Sequence, residues 1–177
     1  ALRLSTKADS QEEANLRLNQ LEEEILQRDH LRVFFYASGD DNSLVKTVAT
    51  LLEEKKQSLG ILENGTGGLL QAELSLALAG QPYYSGGKII SQLGTESGGL
   101  SEEASRIREE LQADLGLVVS VAVKPESTVD NVLAKVYLAL ASTSGIYKKE
   151  VDLGGYSWQY LRQLACLQAL DFVRNTL

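Results

Sequence analysis

The chain has little of several residue types that build special sites. It holds one cysteine, one histidine, one tryptophan, two prolines and no methionine in 177 residues. A lone Cys166 cannot close an internal disulfide. With His30 the sole histidine, the usual nitrogen and sulfur ligand set for zinc is missing, so no metal and no cofactor is expected. Lys and Arg number 17 against 24 Asp and Glu, for a formal net charge of −7. The basic residues form no cluster, which argues against a nucleic-acid surface. No apolar run reaches the roughly 20 residues of a membrane-spanning helix, and no basic-then-apolar leader opens the chain. These absences point to a cytoplasmic protein without membrane contact. The opening Ala1-Leu2-Arg3-Leu4, with no methionine anywhere, fits a C-terminal piece of a longer polypeptide with a further N-terminal domain.

What is present belongs to a globular protein: 44% hydrophobic and 23% charged residues. A chain of this length buries roughly 70% of its unfolded surface without needing a staple. Alternation around Leu2 and Leu4 predicts a short strand over residues 1–8. Ala14, Leu18, Leu21 and Ile25 share one face of a helix predicted over 10–28, and residues 31–36 read as a second strand. The small polar run 37–42 is the clearest linker in the sequence. The expected division is therefore a small β-α-β unit, 1–39, followed by a larger domain, 40–177.

The larger domain alternates strands with helices. A helix capped by Asp41, Asn42 or Ser43 precedes a buried strand over 59–63. A helix with Leu69, Leu70, Leu74, Leu76 and Leu78 follows a glycine-rich turn. A strand is expected over 83–91, a loop over 92–100, and a helix capped by Ser101. The nearly continuous apolar, β-branched run 117–123 predicts a central strand covered on both faces. Further strands over 132–141 and 146–151 precede a last helix over 156–177, with Trp158, Leu161, Ala165, Ala169 and Phe172 inward. The pattern gives an α/β fold, a three-layer α/β/α sandwich with a mixed sheet.

The strongest candidate for chemistry is Leu62-Glu63-Asn64-Gly65-Thr66-Gly67-Gly68, between a strand and a helix. Its three glycines let the backbone turn sharply and approach a ligand. The first N–H groups of the following helix favour an anion or an oxyanion. A tight strand–helix turn with no ligand gives the same pattern. It is no Walker motif and lacks the dinucleotide spacing. Ser97, in Glu96-Ser97-Gly98-Gly99, has no histidine to serve it and reads as a loop serine. Cys166 beside Ala165 reads as a buried, inert thiol. His30 reads as a helix C-terminal contact.

Several stretches carry a family resemblance: Thr47–Leu52, Leu62–Gly68, Gly86–Ile90, Leu100–Ala104, Ala113–Ser120, Val136–Leu140 and Ala169–Arg174. In this order they resemble the C-terminal domain of the competence/damage-inducible CinA family, which also occurs alone as the PncC-like nicotinamide-nucleotide amidase. The resemblance covers nearly everything from Asp41 onward. The preceding unit is similar to that family's small KH-type linker domain. The resemblance implies a ligand like nicotinamide mononucleotide, a homo-oligomer of at least two chains, and a ligand site formed by Glu63, Asn64, Gly65, Thr66, Gly67, Gly68, Gly86 and Gly87.

The departures fall on the catalytic positions. The family turn reads Ala-Glu-Ser-Cys-Thr-Gly-Gly, with the serine as nucleophile. Here Asn64 stands at the serine and Gly65 at the cysteine. The family tyrosine position is Ser91, and the stretch around the family lysine is absent, with Lys88 falling too early to replace it. The family's Thr-Gly-x-Ala-Gly-Pro appears as Ser120–Pro125 without either glycine. An amide nitrogen is not a nucleophile, and losing a hydrolase's nucleophile costs on the order of 10⁶ in turnover. The expectation is a catalytically inactive domain that serves as a nucleotide-binding or structural module. The alternative is an amidase that uses Thr66 as substitute nucleophile, with Lys88 or Lys124 as base.

Overall fold

The computed structural model describes residues 4–26, 43–91 and 97–177. The chain divides into two units, Ala1–Ser38 and Gly39–Leu177. In the first unit, α1 spans Gln11–Leu26. Ser10 Oγ accepts the Glu13 N–H at 3.2 Å and so caps it, and Arg17 pairs with Glu13 one turn away at 2.6 Å. Ala14, Leu18 and Ile25 are half-buried, whereas Leu21 is exposed. Residues 4–8 form no strand, contrary to expectation. The expected second strand, 31–36, lies outside the described residues, as do His30 and the linker 37–42.

The second unit opens with α2, Leu44–Lys55, whose N-cap is the last of the three candidates: Ser43 Oγ accepts the Lys46 N–H at 3.3 Å. Then follow β1 (Leu59–Asn64), α3 (Leu69–Ala77), β2 (Tyr84–Ile90), α4 (Ser97–Glu110), β3 (Leu115–Val123), β4 (Val132–Ser142), β5 (Gly145–Tyr156) and α5 (Trp158–Thr176). The sheet order is β2-β1-β3-β4-β5. β1 pairs in parallel with both β2 and β3, and β4 and β5 continue as antiparallel strands. The sheet is therefore mixed, and the fold is α/β as the sequence predicts.

Residue parity decides what each face meets. Leu62, Val118, Ala139 and Ala141 point to one face and pack with Leu100, Ala104 and Ile107 of α4. The opposite face carries α3 and α5, with α2 packed on both. β1 and β3 are buried on both faces, which is why their sequences run nearly without a polar break. β5, an edge strand, is longer than the predicted 146–151. Its exposed face carries charge, and Lys135–Glu150 and Lys124–Asp152 bridge it to neighbouring residues at 3.1 and 2.6 Å. Such charges discourage pairing with another chain's edge.

Two expectations need correction, and one leucine lies outside the apolar stripe of its helix. α4 begins at Ser97 rather than at Ser101, because Leu100, Ala104 and Ile107 bury at helical spacing and draw Gly98-Gly99 into the first turn. Leu76 is 80% exposed, since inward contacts of α3 fall on Leu70, Leu74 and Leu78. Trp158, expected inward, stays partly exposed, and the neighbouring Tyr160 meets Tyr156 edge-on at a centroid distance of 5.2 Å.

Two local devices hold the sheet in place. At the entry of β1 and β3, Ser58 N–H and Oγ–H both donate to Asp114 Oδ2 at 2.8 Å, and Asp114 N–H donates back to Ser58 Oγ at 3.0 Å. At Gly116 the α4 backbone comes so close that a Cβ would lie 2.1 Å from the Ala104 carbonyl oxygen. Gly116→Ala is expected to push α4 off β3 and cost about 2 kcal/mol, read as a lowered Tm. The hydrogen bonds from Ser58 hold the Asp114 carboxyl below its ordinary 3.8. A depressed pKa stabilises above the ordinary value and is lost as pH falls through the folded one. The Tm gap between wild type and Asp114→Asn should thus be widest near neutrality and close below pH 3.8.

Candidate functional site

The carboxyl ends of the parallel strands β1 and β3 lie side by side, and the strand order reverses between them: β1 leads through α3 to β2 on one side, while β3 continues to β4 on the other. Open α/β sheets form their ligand crevices at such a topological switch point. The turn Asn64–Gly68 sits there. Gly65, Gly67 and Gly68 all have positive φ, at 82°, 71° and 82°. At Gly65 space adds to the demand: a Cβ would stand 2.9 Å from Val121 Cβ and 3.1 Å from its carbonyl oxygen.

Glu63 and Asn64, adjacent in β1, point to opposite faces. Glu63 is fully buried on the α3 side. Its Oε2 accepts the Thr66 hydroxyl at 2.5 Å and the Leu70 N–H at 3.3 Å, while Oε1 accepts the Gln71 N–H at 2.8 Å. The N-cap of α3 is Gly68, which has no side chain to offer. Glu63 therefore takes the two helix donors that a capping side chain would take. This alters the expected anion site: the helix N-terminus already holds an anion, supplied by the protein. Burial first, and the Glu63 charge second, push the Tyr84 hydroxyl and the Cys166 thiol up to about 12. Cys166 is thus a buried, unreactive thiol.

On the other face, Asn64 bridges both neighbouring strands. Its Nδ2 donates to the Ile90 carbonyl on β2 at 3.1 Å, and its Oδ1 accepts the Ser120 hydroxyl on β3 at 3.2 Å. Asn64 and Ser120 are both buried.

The remaining predicted residues do not converge. Thr66 has no exposed surface, and its hydroxyl is committed to Glu63. Lys88 pairs with Glu110 of α4, and Lys124 pairs with Asp152 of β5. Neither lysine is joined to Thr66. Gly86 pairs with Gly60 and Gly87 with Ile61, at the opening half of β1, while the turn follows Asn64. At about 3.3 Å per residue, these two glycines lie roughly 10 Å or more from the turn. Gly86 serves the β-bulge opposite Leu59 and Gly60, and Gly87 makes room for Gln71. Ser97 is the first residue of α4.

One residue at the turn is absent from the sequence-based set. Arg162 of α5 places Nη1 2.9 Å from where a Cβ on Gly67 would stand, so glycine there lets the guanidinium lie against the backbone. Among the described residues, Arg162 Nε is the one buried side-chain polar atom without a hydrogen-bond partner. The signal was a charged residue between Leu161 and the Ala165-Cys166 pair, on the inward flank of the last helix. A cation in that position needs a reason to be there.

Known proteins resemble the chain in sequence and in fold. A competence-damage inducible protein of Streptococcus suis is 78% identical over 176 residues, covering 99% of this chain and 45% of the relative. The corresponding protein of Streptococcus gordonii is 32% identical, covering 99% of this chain and 48% of the relative. The chain belongs to the CinA family. It matches the C-terminal part of these relatives and spans less than half their length. The alignment with the S. gordonii protein runs over 199 positions where this chain has 177 residues, so that relative carries segments this chain lacks. No family model matches the chain. Among solved structures, competence damage-inducible protein A of Klebsiella pneumoniae superposes with a TM-score of 0.62 at 21% identity, covering 75% of this chain and 93% of that one. A CinA superfamily protein of Enterobacter cloacae gives 0.59 at 20% identity, covering 81% and 98%. These two likenesses concern the fold.

Removing the Glu63 carboxylate leaves one buried hydroxyl and two helix N–H groups without their acceptor. Glu63→Ala is expected to cost roughly 3 kcal/mol or more in unfolding free energy, measured by chemical denaturation.

Proposed function

We propose that this chain is a non-hydrolysing CinA-family domain that keeps the amidase scaffold and binds a small anionic nucleotide. The ligand chemistry is that of nicotinamide mononucleotide, with its phosphate against Arg162 at the Gly67 rim. In the same reading the domain works in the cytoplasm, as a homo-oligomer within a longer chain. The observation that carries the proposal is the state of position 64. The family serine is replaced by an amide whose donor and acceptor are both engaged by neighbouring strands. The neighbouring Ser120 hydroxyl is engaged with that amide, and both candidate lysine bases are held in ion pairs elsewhere. Anion binding is supported by the Arg162 guanidinium beside Gly67 and by its unpartnered buried Nε. Arginine's planar fork suits a phosphate.

The alternative, hydrolysis by Thr66, has one point in its favour: the Thr66 hydroxyl already donates to a carboxylate, which could take its proton. Against it stands burial, since a hydroxyl with no exposed surface cannot meet a substrate carbonyl.

The test is incubation with nicotinamide mononucleotide, with ammonia release and binding heat measured side by side. A serine-bearing relative serves as positive control. The wild-type chain and Asn64→Ser are both expected to release no ammonia above a buffer blank, because restoring the serine restores no base. Binding should be measurable, and Arg162→Ala should weaken it roughly ten- to a hundred-fold. Catalytic turnover that disappears in Thr66→Ala would overturn the non-hydrolytic reading. Absence of binding would overturn the ligand.

A further inference from the structure

We propose that Asn64–Gly65 is a self-modification site, an intramolecular deamidation step that the fold holds closed. It is the one Asn–Gly step in the sequence. The chemistry needs only the chain and water. The Gly65 backbone nitrogen attacks Asn64 Cγ, the N–Cγ bond forms, and the Cγ–Nδ2 bond breaks. The Gly65 amide proton leaves on the departing ammonia. Water then opens the resulting succinimide at either carbonyl, giving aspartate or isoaspartate. A glycine after asparagine favours ring closure, because no Cβ shields the attacking nitrogen and the backbone is free to bend.

In the folded chain the Asn64 side chain is clamped on both sides. Asn64 ends β1, in register with Ile90 on one side and Ser120 on the other. Ring closure requires the side chain to fold back over its own backbone, out of the extended strand. That movement breaks both clamps, Nδ2 to the Ile90 carbonyl at 3.1 Å and the Ser120 hydroxyl to Oδ1 at 3.2 Å. It also needs Gly65 to move, and that residue is packed against Val121. Asn64 is 8% exposed, so the water of the second step is largely excluded as well. The reaction therefore waits for the strand end to open, and its rate follows the population of the open form.

Once it occurs, the step does not reverse into the native arrangement. A carboxylate at position 64 would set an acceptor against the Ile90 carbonyl, where a donor stands now. Isoaspartate would add a backbone carbon between the Glu63 cap and the turn that delivers α3. Each chain that has opened at this point is marked there. The inference is independent of ligand binding, and its ammonia is limited to one molecule per chain, so it is distinguishable from turnover.

The experiment holds the full chain at neutral pH and physiological temperature, folded and in parallel unfolded in urea. Amide-to-acid conversion is followed at each asparagine by peptide mass spectrometry, with isoaspartate assayed at position 64. The unfolded chain is expected to convert Asn64 roughly a hundred-fold or more faster than the folded chain. Ser120→Ala should raise the folded-state rate about five-fold, while Ser120→Thr, which keeps a hydroxyl, should leave it near wild type. Circular dichroism establishes that each variant is folded. If Ser120→Ala does not fold, the wild-type comparison alone decides. A folded wild type that converts as fast as the unfolded chain would overturn the gate. An unfolded chain that keeps Asn64 intact would overturn the site. A folded Ser120→Ala at the wild-type rate would overturn the clamp.

Discussion

The site depends on one buried carboxylate. Glu63 lies at the end of a strand with no access to water, and it accepts bonds from a threonine hydroxyl and from two N–H groups at the start of α3. A helix whose N-cap is glycine starts with its donors unmet. Here the strand before it supplies the missing acceptor, so strand, turn and helix are joined by charge-assisted bonds rather than by loop sequence. The glycines give the reach and Glu63 gives the direction. The helix dipole that could hold a ligand anion faces an internal one instead, and the nearest guanidinium, Arg162, lies against Gly67 of the same turn.

Parity explains why Asn64 has a separate role. One residue beyond Glu63, it faces the α4 side and links the backbone of β2 with a side chain of β3. A serine there has a shorter side chain and a single hydroxyl, and it could not span both neighbours in this way. The amide thus makes this buried position a cross-strand brace.

Much of the fold was legible because the signals were local. The β-branched run of β3, the Ser43 cap of α2 and the apolar stripe of α5 each follow from short-range chemistry. The elements that misled were those decided by tertiary packing. Gly98-Gly99 looks like a loop until Leu100, Ala104 and Ile107 pull it into α4. β5 extends beyond its apolar stretch because β4 offers a ladder partner as far as Val132. At the site, the turn was visible in its glycines, but sequence distance says nothing of spatial distance across a sheet. Gly86 and Gly87 are near the turn in sequence pattern and far from it along β1, while Arg162, nearly a hundred residues downstream of Gly67, lies against it.

The glycines also show how much of the turn motif answers to the fold. Gly65 meets the Val121 backbone, and Gly67 leaves room for the Arg162 guanidinium. Both lie at positive φ, where side chains are strained. These demands come from the fold and persist whatever stands at position 64. The same holds for Glu63, whose partners are backbone donors and a buried hydroxyl rather than a substrate. Glu63 and the glycines of the turn therefore testify to the scaffold. Evidence of hydrolysis has to rest on a nucleophile with a free lone pair and a base within its reach. Of the residues proposed for those roles, Thr66 is buried on Glu63, and Lys88 and Lys124 are each paired with a carboxylate of their own.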